Sequence, residues 1–373
     1  MVMQFTISSS TLSKQLTTIN GVIVNNPVIP ILENFLFDID GEELTVTASD
    51  LQTSITAKLS IEAHERTRIA IPARILRETL RNLPEQPVTF SIDEATHGVE
   101  ISSNNGKYRL AGENATDFPQ PSLIQKGISV DMDAQVLKKM ISQTIIAASH
   151  DELRPAMNGV YMDFNGNNVT FVATDGHRLA RYIRSDVSVE TQQPFIVPRK
   201  ALNLLHTLLP NEAQQVNITF NDNHVHFSMG NKKMITRLID ERYPDYENVI
   251  PTNNAYKLVI DRMYLLSSLK RMVIYANRTT YQIKLSITHH ELLISAEDFD
   301  FSNGASERLD CTYKGDDLDI GFNARFLIEL LSNLHTKDVT MYFAAPSKAT
   351  LILPGEKEAY EDILLLIMPV ILK

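Results

Sequence analysis

The feature that most constrains this 373-residue chain is that it repeats itself. LTVTASDLQTSI around Asp50 is matched by VTFVATDGHRLA around Asp175 and more faintly by LLISAEDFDFSN around Asp298, at separations of 125 and 123 residues. Downstream of each comes a strand-like apolar run followed by a helical pattern: IAIPARILRETLRNLP, FIVPRKALNLLHTLLP and IGFNARFLIELLSNLH. In these, Pro72, Pro198 and Asn323 hold one place, 126 and 125 residues apart. Phe118-Pro119, Tyr243-Pro244 and Met368-Pro369 close the three copies with spacings of 125 and 125. Three landmarks in one order and with one period point to a fold built three times.

Each copy opens with an amphipathic segment. Leu12, Leu16 and Ile19 follow serines at 8 to 10; Leu137, Ile141 and Ile145 follow Asp133; Leu265 or Leu266, Leu269 and Met272 follow Asp261. Apolar residues at helical spacing behind a capping side chain predict a helix with one buried face. A second helix is expected at Pro72, Pro198 and Asn323, with the prolines in the first turn, where a missing N–H costs nothing. Between the helices LTVTAS, VTFVAT, VNITFND, HVHFSM, KLSIT and VTMYF alternate as strands do, with turn signals at 40–41, 105–106 and 165–166. The sequence therefore predicts an α+β protein of three similar domains, 1–125, 126–252 and 253–373, each with two helices packed on antiparallel sheet.

Composition removes several classes of function. No stretch of about 18 apolar residues exists to span a bilayer, and MVMQFTISSS lacks the pattern of a signal peptide, so a cytoplasmic protein without membrane contact is expected. The single Cys311 cannot close an internal disulfide. A net charge of −10 argues against coating nucleic acid with the whole surface. Neither a G-x-x-x-x-G-K-[ST] nor a G-x-G-x-x-G loop is present, and no metal or cofactor is expected.

VATDGHRLA invites an acid–base reading, because an aspartate beside a histidine can set its tautomer. The repeat weakens that reading. Asp50 and Asp298 hold the place of Asp175 with no histidine following, so the shared element reads as a turn in which the aspartate oxygen accepts backbone N–H groups. Ser149-His150-Asp151 reads as a solvated loop, and His224 with His226 as a surface or edge pair rather than a metal site. With no catalytic residues expected, a scaffold is the simplest function; an enzyme using Asp175 and His177, or a scaffold for proteins alone, are the alternatives.

Basic residues recur where the repeats coincide. Arg74, Lys200 and Arg325 stand two places into the second helix of each copy; Arg77 and Arg81 extend the first, Arg199 adjoins the second, and Lys14, Lys138 and Lys139 lie off the apolar stripes of first helices. Such a set in an acidic protein suits contact with phosphates without reading bases.

ATDGHRLA, FIVPRKAL, RYPDYENVIP, IGFN and IMPVILK together resemble the bacterial β sliding clamp family, the processivity factors of the replicative DNA polymerase, over essentially the whole chain. The resemblance implies a head-to-tail homodimer forming a six-domain ring around duplex DNA, which the basic residues above would face. It also implies a pocket for short apolar peptide motifs of the replicative polymerase subunit, the clamp loader and repair polymerases. Carried over residue by residue, that pocket comprises Met157, Thr174, Gly176, His177, Arg178, Leu179, Pro244, Val249, Asn323, Phe326, Met368, Pro369 and Val370. Ile274 and Tyr275 fall at the implied dimer interface, beside an edge strand GKYRLAG meeting ERLDCTY. The chain departs from the family pattern in three places: the tail reads MPVILK where MPMRL is usual, Thr280 or Tyr281 stands for an aromatic, and Asn26 stands where an arginine can occur.

Overall fold

The computed structural model describes residues 2–63, 66–120, 122, 124, 126–189 and 193–372, so the expected boundary at Gln125 and the terminal Lys373 lie outside the described residues. Among these the helices are α1 Ser9–Ile19, α2 Ala73–Arg81, α3 Ala134–Ile145, α4 Arg199–Leu208, α5 Arg262–Met272 and α6 Ala324–Ser332. Most begin where the sequence offers a cap. The Ser8 hydroxyl accepts the N–H of Thr11, Asp133 those of Gln135 and Val136, Asp261 those of Met263 and Tyr264, and Asn323 those of Arg325 and Phe326. These bonds satisfy donors that a helix leaves without internal partners. The second helices of the first two copies differ from expectation. Pro72 and Pro198 each end a strand and stand one residue before α2 and α4, and Pro72 caps α2 with no side-chain bond.

The chain folds as two compact units, residues 1–137 with 200–238 and residues 138–199 with 239–373. In the first, a four-stranded antiparallel sheet runs in the order Val2–Ser8, Pro87–Asp93, Gly98–Ser102, Lys107–Ala111. Its second sheet has nine strands. Ile128–Asp133, Gln215–Phe220, His224–Met229 and Lys232–Arg237 come from the middle copy, then Thr53–Ser60, Glu43–Ser49, Asn34–Asp40, Arg66–Pro72 and Glu113–Asn114 from the first. The seam is ordinary ladder pairing, Lys232 with Ala57 through Thr236 with Thr53, and a buried hydroxyl contact of 3.0 Å joins Thr53 to Thr236. Leu12, Leu16 and Ile19 of α1 are fully buried, as is Leu76 of α2, and Phe5 stacks on Phe90 at 4.7 Å. Each such side chain removed from water contributes about 1.5–3 kcal/mol.

The second unit follows the same plan. Its nine strands run Phe195–Pro198, Gly159–Phe164, Val169–Thr174, Arg178–Arg184, then Glu361–Ile367, Thr350–Pro354, Asp338–Phe343, Tyr256–Asp261 and Thr312–Lys314. The four-stranded sheet runs Asn303–Asp310, Glu291–Asp298, Gln282–Ile287, Leu318–Asn323. Leu265, Leu269 and Met272 of α5 and Leu327, Leu330 and Leu331 of α6 fill its core. Three sequence repeats thus yield two compact bodies, because each sheet of the middle copy completes itself by pairing with a neighbouring copy.

Two sequence readings are corrected. His226 is neither at the surface nor on an edge: it lies on a central strand between Thr219 and Ile235 and is 5 % exposed. Ser149 is likewise buried, its hydroxyl accepting the Asp151 N–H at 3.0 Å, although the loop around it is correctly read. Burial, together with the Lys233 and His224 charges, holds the His226 imidazole down at about 4 against an opposing pull from the Ser122 backbone. The folded state therefore favours neutral imidazole. As pH falls through about 6.5 the unfolded chain takes up a proton that the folded chain refuses until about pH 4, so stability is lost across that window. On the order of 3 kcal/mol is expected from this group across the full window. His226→Phe should flatten the fall in denaturation midpoint between pH 6.5 and 4; an unchanged pH profile would show that His226 does not generate it.

Candidate functional site

The residues quoted for the peptide pocket all fall in the second unit, and its strand pairing draws most of them together. Val169–Thr174 and Arg178–Arg184 form a hairpin whose turn is Asp175-Gly176-His177. Asp175 Oδ1 accepts the N–H of His177 at 2.9 Å and of Arg178 at 3.0 Å, and the Thr174 hydroxyl donates to the Arg178 carbonyl at 2.7 Å. Asp50 bonds the N–H of Gln52 and Thr53 in the same way, and Asp298 that of Asp300. The shared aspartate is framework in all three copies. Gly176 sits at φ +88°, where its counterpart Leu51 carries φ +75° at the cost of left-handed strain that glycine avoids.

Arg178 is the hub of the site. Its side chain is 7 % exposed, Nε donates to Asp175 at 3.1 Å, Nη1 donates to Glu329 of α6 at 2.6 Å, and the guanidinium lies 4.5 Å from the centre of the Phe326 ring. The exposed His177 stacks on the same ring at 6.1 Å and 21°. Asp175 therefore bonds the backbone of His177 and not its imidazole, so the geometry of an Asp-His dyad is not what the turn provides.

Around this hub the tail is pinned. The Met368 N–H donates to the His177 carbonyl at 2.8 Å, and that of Val370 to the Gly321 carbonyl at 2.9 Å. Gly321 permits that approach: a Cβ there would sit 2.7 Å from the Val370 oxygen. Arg154 reaches the Asp175 carbonyl at 3.2 Å and the sulfur of Met157 at 3.9 Å. Leu179 is buried in an apolar cluster with Tyr243, Val172, Leu364 and Leu366, and Tyr161 stacks on Tyr243 at 4.9 Å. Burial pushes the Tyr243 hydroxyl well above the usual tyrosine range, and that of Tyr246 up to about 12. Pro244 is partly buried beside the cluster's Tyr243, whereas Val249 remains 55 % exposed.

Sequence reasoning missed Glu329, the leucines 364 and 366, and Tyr161. The leucines were accessible through the continuous apolar run at 363–367, the mark of a strand buried on both faces, whereas Glu329 gave only the weak signal of sitting three residues after Phe326 on one helix. Of the family departures, Tyr281 lies beneath Arg325, whose guanidinium is 3.5 Å from the ring centre, and Ile371 points out at 85 % exposure. Asn26 adopts φ +52° with its N–H bound to Glu33.

The basic residues separate into two groups. Lys14, Arg74, Arg81 and Lys200 are exposed, with Arg74 paired to Glu78 and Lys200 to Asp50; Arg77 and Lys138 are half-buried. Lys139 instead gives its ammonium to Glu361 at 2.8 Å and Glu358 at 2.9 Å, and Arg199 donates to the Ala148 carbonyl at 3.0 Å beside His150. With Arg325 on Tyr281, these three are engaged within the second unit.

Among the described residues no group of three or more His, Cys, Asp or Glu is arranged to hold a metal, and no helix is long and apolar enough to cross a membrane. Family models of the DNA polymerase III beta subunit match end to end: the N-terminal domain over residues 3–122, the central domain over 131–245 and the C-terminal domain over 247–370. The beta sliding clamp of Pseudomonas aeruginosa is 28 % identical over 352 residues, covering 94 % of this chain and 95 % of that one. That of Haemophilus influenzae is 29 % identical, covering 97 % and 99 %. The crystal structure of the DNA polymerase III subunit beta from Pseudomonas aeruginosa superposes with a TM-score of 0.94 at 27 % identity, covering 99 % of this chain and 100 % of that one.

Replacing Gly176 by Ala should lower stability by about 1 kcal/mol, the cost of a side chain at left-handed φ. The added Cβ meets only the movable end of Arg154 at 3.3 Å, so backbone strain and not collision decides the outcome. An unchanged denaturation midpoint would mean the turn relaxes.

Proposed function

The chain belongs to the DNA polymerase III beta subunit family and is a sliding clamp; on that premise we propose that two copies close head to tail into a ring around duplex DNA and act without catalysis. The observation that carries this reading is the run of three clamp domains over nearly the whole chain, with each four-stranded sheet ending, among the described residues, in a strand paired on one side only. Those edges are Lys107–Ala111 and Asn303–Asp310, and the latter buries none of its eight residues. Exposed strand edges aggregate unless covered, and a second copy covers both. Ile274 at 73 % and Tyr275 at 42 % exposure are apolar knobs near α5, and a cavity of about 290 Å³ lined by Ile75, Leu83 and Tyr108 is a socket for them on the other copy. The strand ERLDCTY divides in the fold, 307–310 ending the edge strand and Thr312–Lys314 joining the nine-stranded sheet, so 307–310 is the pairing part.

In this reading Lys14, Arg74, Arg77, Arg81, Lys138, Lys139, Arg199, Lys200 and Arg325 face the DNA. Their contacts are to phosphate, direct or through water, and can be exchanged at little cost as the ring slides. The replicative polymerase subunit, the clamp loader and repair polymerases dock short apolar motifs on the wall formed by Arg178, His177 and Phe326 and on the floor formed by Leu179 and Tyr243. Ring opening falls to the clamp loader.

Loading onto DNA circles and onto the same DNA linearised tests encirclement. Retention on circles with loss from linear ends is expected; equal retention on both would sink the ring, and binding to neither would leave a scaffold for proteins alone. Deleting residues 368–373 should abolish binding of an apolar motif peptide while the mass in solution stays near twice the 42.0 kDa chain. Undiminished peptide affinity would move the docking site elsewhere.

A further inference from the structure

We propose that Glu329 is a positioning residue of the peptide pocket: its carboxylate holds the Arg178 guanidinium on Phe326, and so sets the wall that His177 and Phe326 present to an apolar peptide. The inference rests on the pocket reading above and goes beyond it, since Glu329 belongs to none of the residues implied by the family pattern.

Arg178 is nearly buried, and such a charge is tolerated only with well-placed partners. Asp175 is an incomplete one, because its Oδ1 already accepts two backbone N–H groups and only Oδ2 reaches Arg178. Glu329 supplies the shorter bond, 2.6 Å against 3.1 Å, to the other end of the guanidinium. A planar fork held at both ends has its plane fixed, and that plane is what lies over Phe326. Glu329 and Phe326 stand three residues apart on α6, so one helix face delivers both the carboxylate and the ring. Arg199 disfavours a second positive charge nearby, and Glu329 offsets that repulsion, as the opposite signs of their effects on Arg199 require.

Without Glu329 the guanidinium would lose its anchor on α6 while keeping a tether to its own turn. The stack would then be one arrangement among several, and an arriving peptide would have to order it. Preorganisation removes that cost from binding.

The test uses the full chain and a fluorescein-labelled synthetic peptide with a Leu/Phe apolar motif, read by fluorescence anisotropy. Four proteins are compared: unmodified, Glu329→Gln, Arg178→Ala and the double variant. Glu329→Gln should weaken the peptide roughly tenfold, the range of a lost charge-assisted bond. It should cost nothing further in the Arg178→Ala background, and Glu329→Asp should recover part of the loss. Retention on DNA circles and dimer mass should not change, which separates positioning from a general loss of structure. An equal loss in both backgrounds would make Glu329 a direct peptide contact and overturn the proposal, as would full affinity in Glu329→Gln. Failure of the unmodified protein to bind the peptide would remove the pocket reading itself, and the positioning role with it.

Discussion

Strand pairing between residues far apart in sequence is the constraint on which the rest of this structure depends. Arg178–Arg184 pairs in antiparallel register with Glu361–Ile367, Arg178 opposite Ile367 and Arg184 opposite Glu361. That ladder sets Leu179 against Leu366 and delivers the chain after Ile367 to the His177 carbonyl, where Met368 binds. A slip of one residue would turn every leucine of EDILLLI to the opposite face and carry Met368 away from the turn. The pocket is thus a consequence of register, and no local segment contains it.

The same seam contains a buried charge cluster whose worth lies in registration. Glu361 has a side chain only 5 % exposed, and it meets Lys139, Arg184 and the Tyr182 hydroxyl. Burial pushes its carboxyl upward, but the bonds from Lys139 and Tyr182 more than offset that and hold it below the usual range. Lys139 is likewise kept charged in spite of its burial by Glu361 and Glu358. A paired cluster of this kind adds little net stability over apolar packing, yet it penalises any register in which one partner is left alone. This is why Lys139, a basic helix residue like its neighbours in sequence, differs from them in the fold. One-dimensional spacing puts it beside Lys138 and says nothing of a carboxylate more than two hundred residues away.

What the sequence makes legible follows from the range of the forces involved. Helices, caps and most strands are local: the spacing of Leu12, Leu16 and Ile19 or the bond from the Met263 N–H to Asp261 needs only a few neighbouring residues. The Asp turn was legible through repetition, since three copies with one histidine separate framework from addition. His226 was misread because alternation alone cannot tell a central strand from an edge. Glu329 was missed because its significance lies wholly in a contact with another repeat, 151 residues distant.

The turn shows how a triplicated fold acquires a site. In every copy the aspartate ties off the hairpin, and at Asp50 its carboxylate also pairs with Lys200. In the middle copy glycine relieves the left-handed position and an arginine follows. That arginine is buried only because α6 of the next repeat offers a ring and a carboxylate to receive it. Function here arises from the interval between repeats: the aspartate ties off the turn in each copy, and the residues that follow it differ according to what the neighbouring copy brings against them.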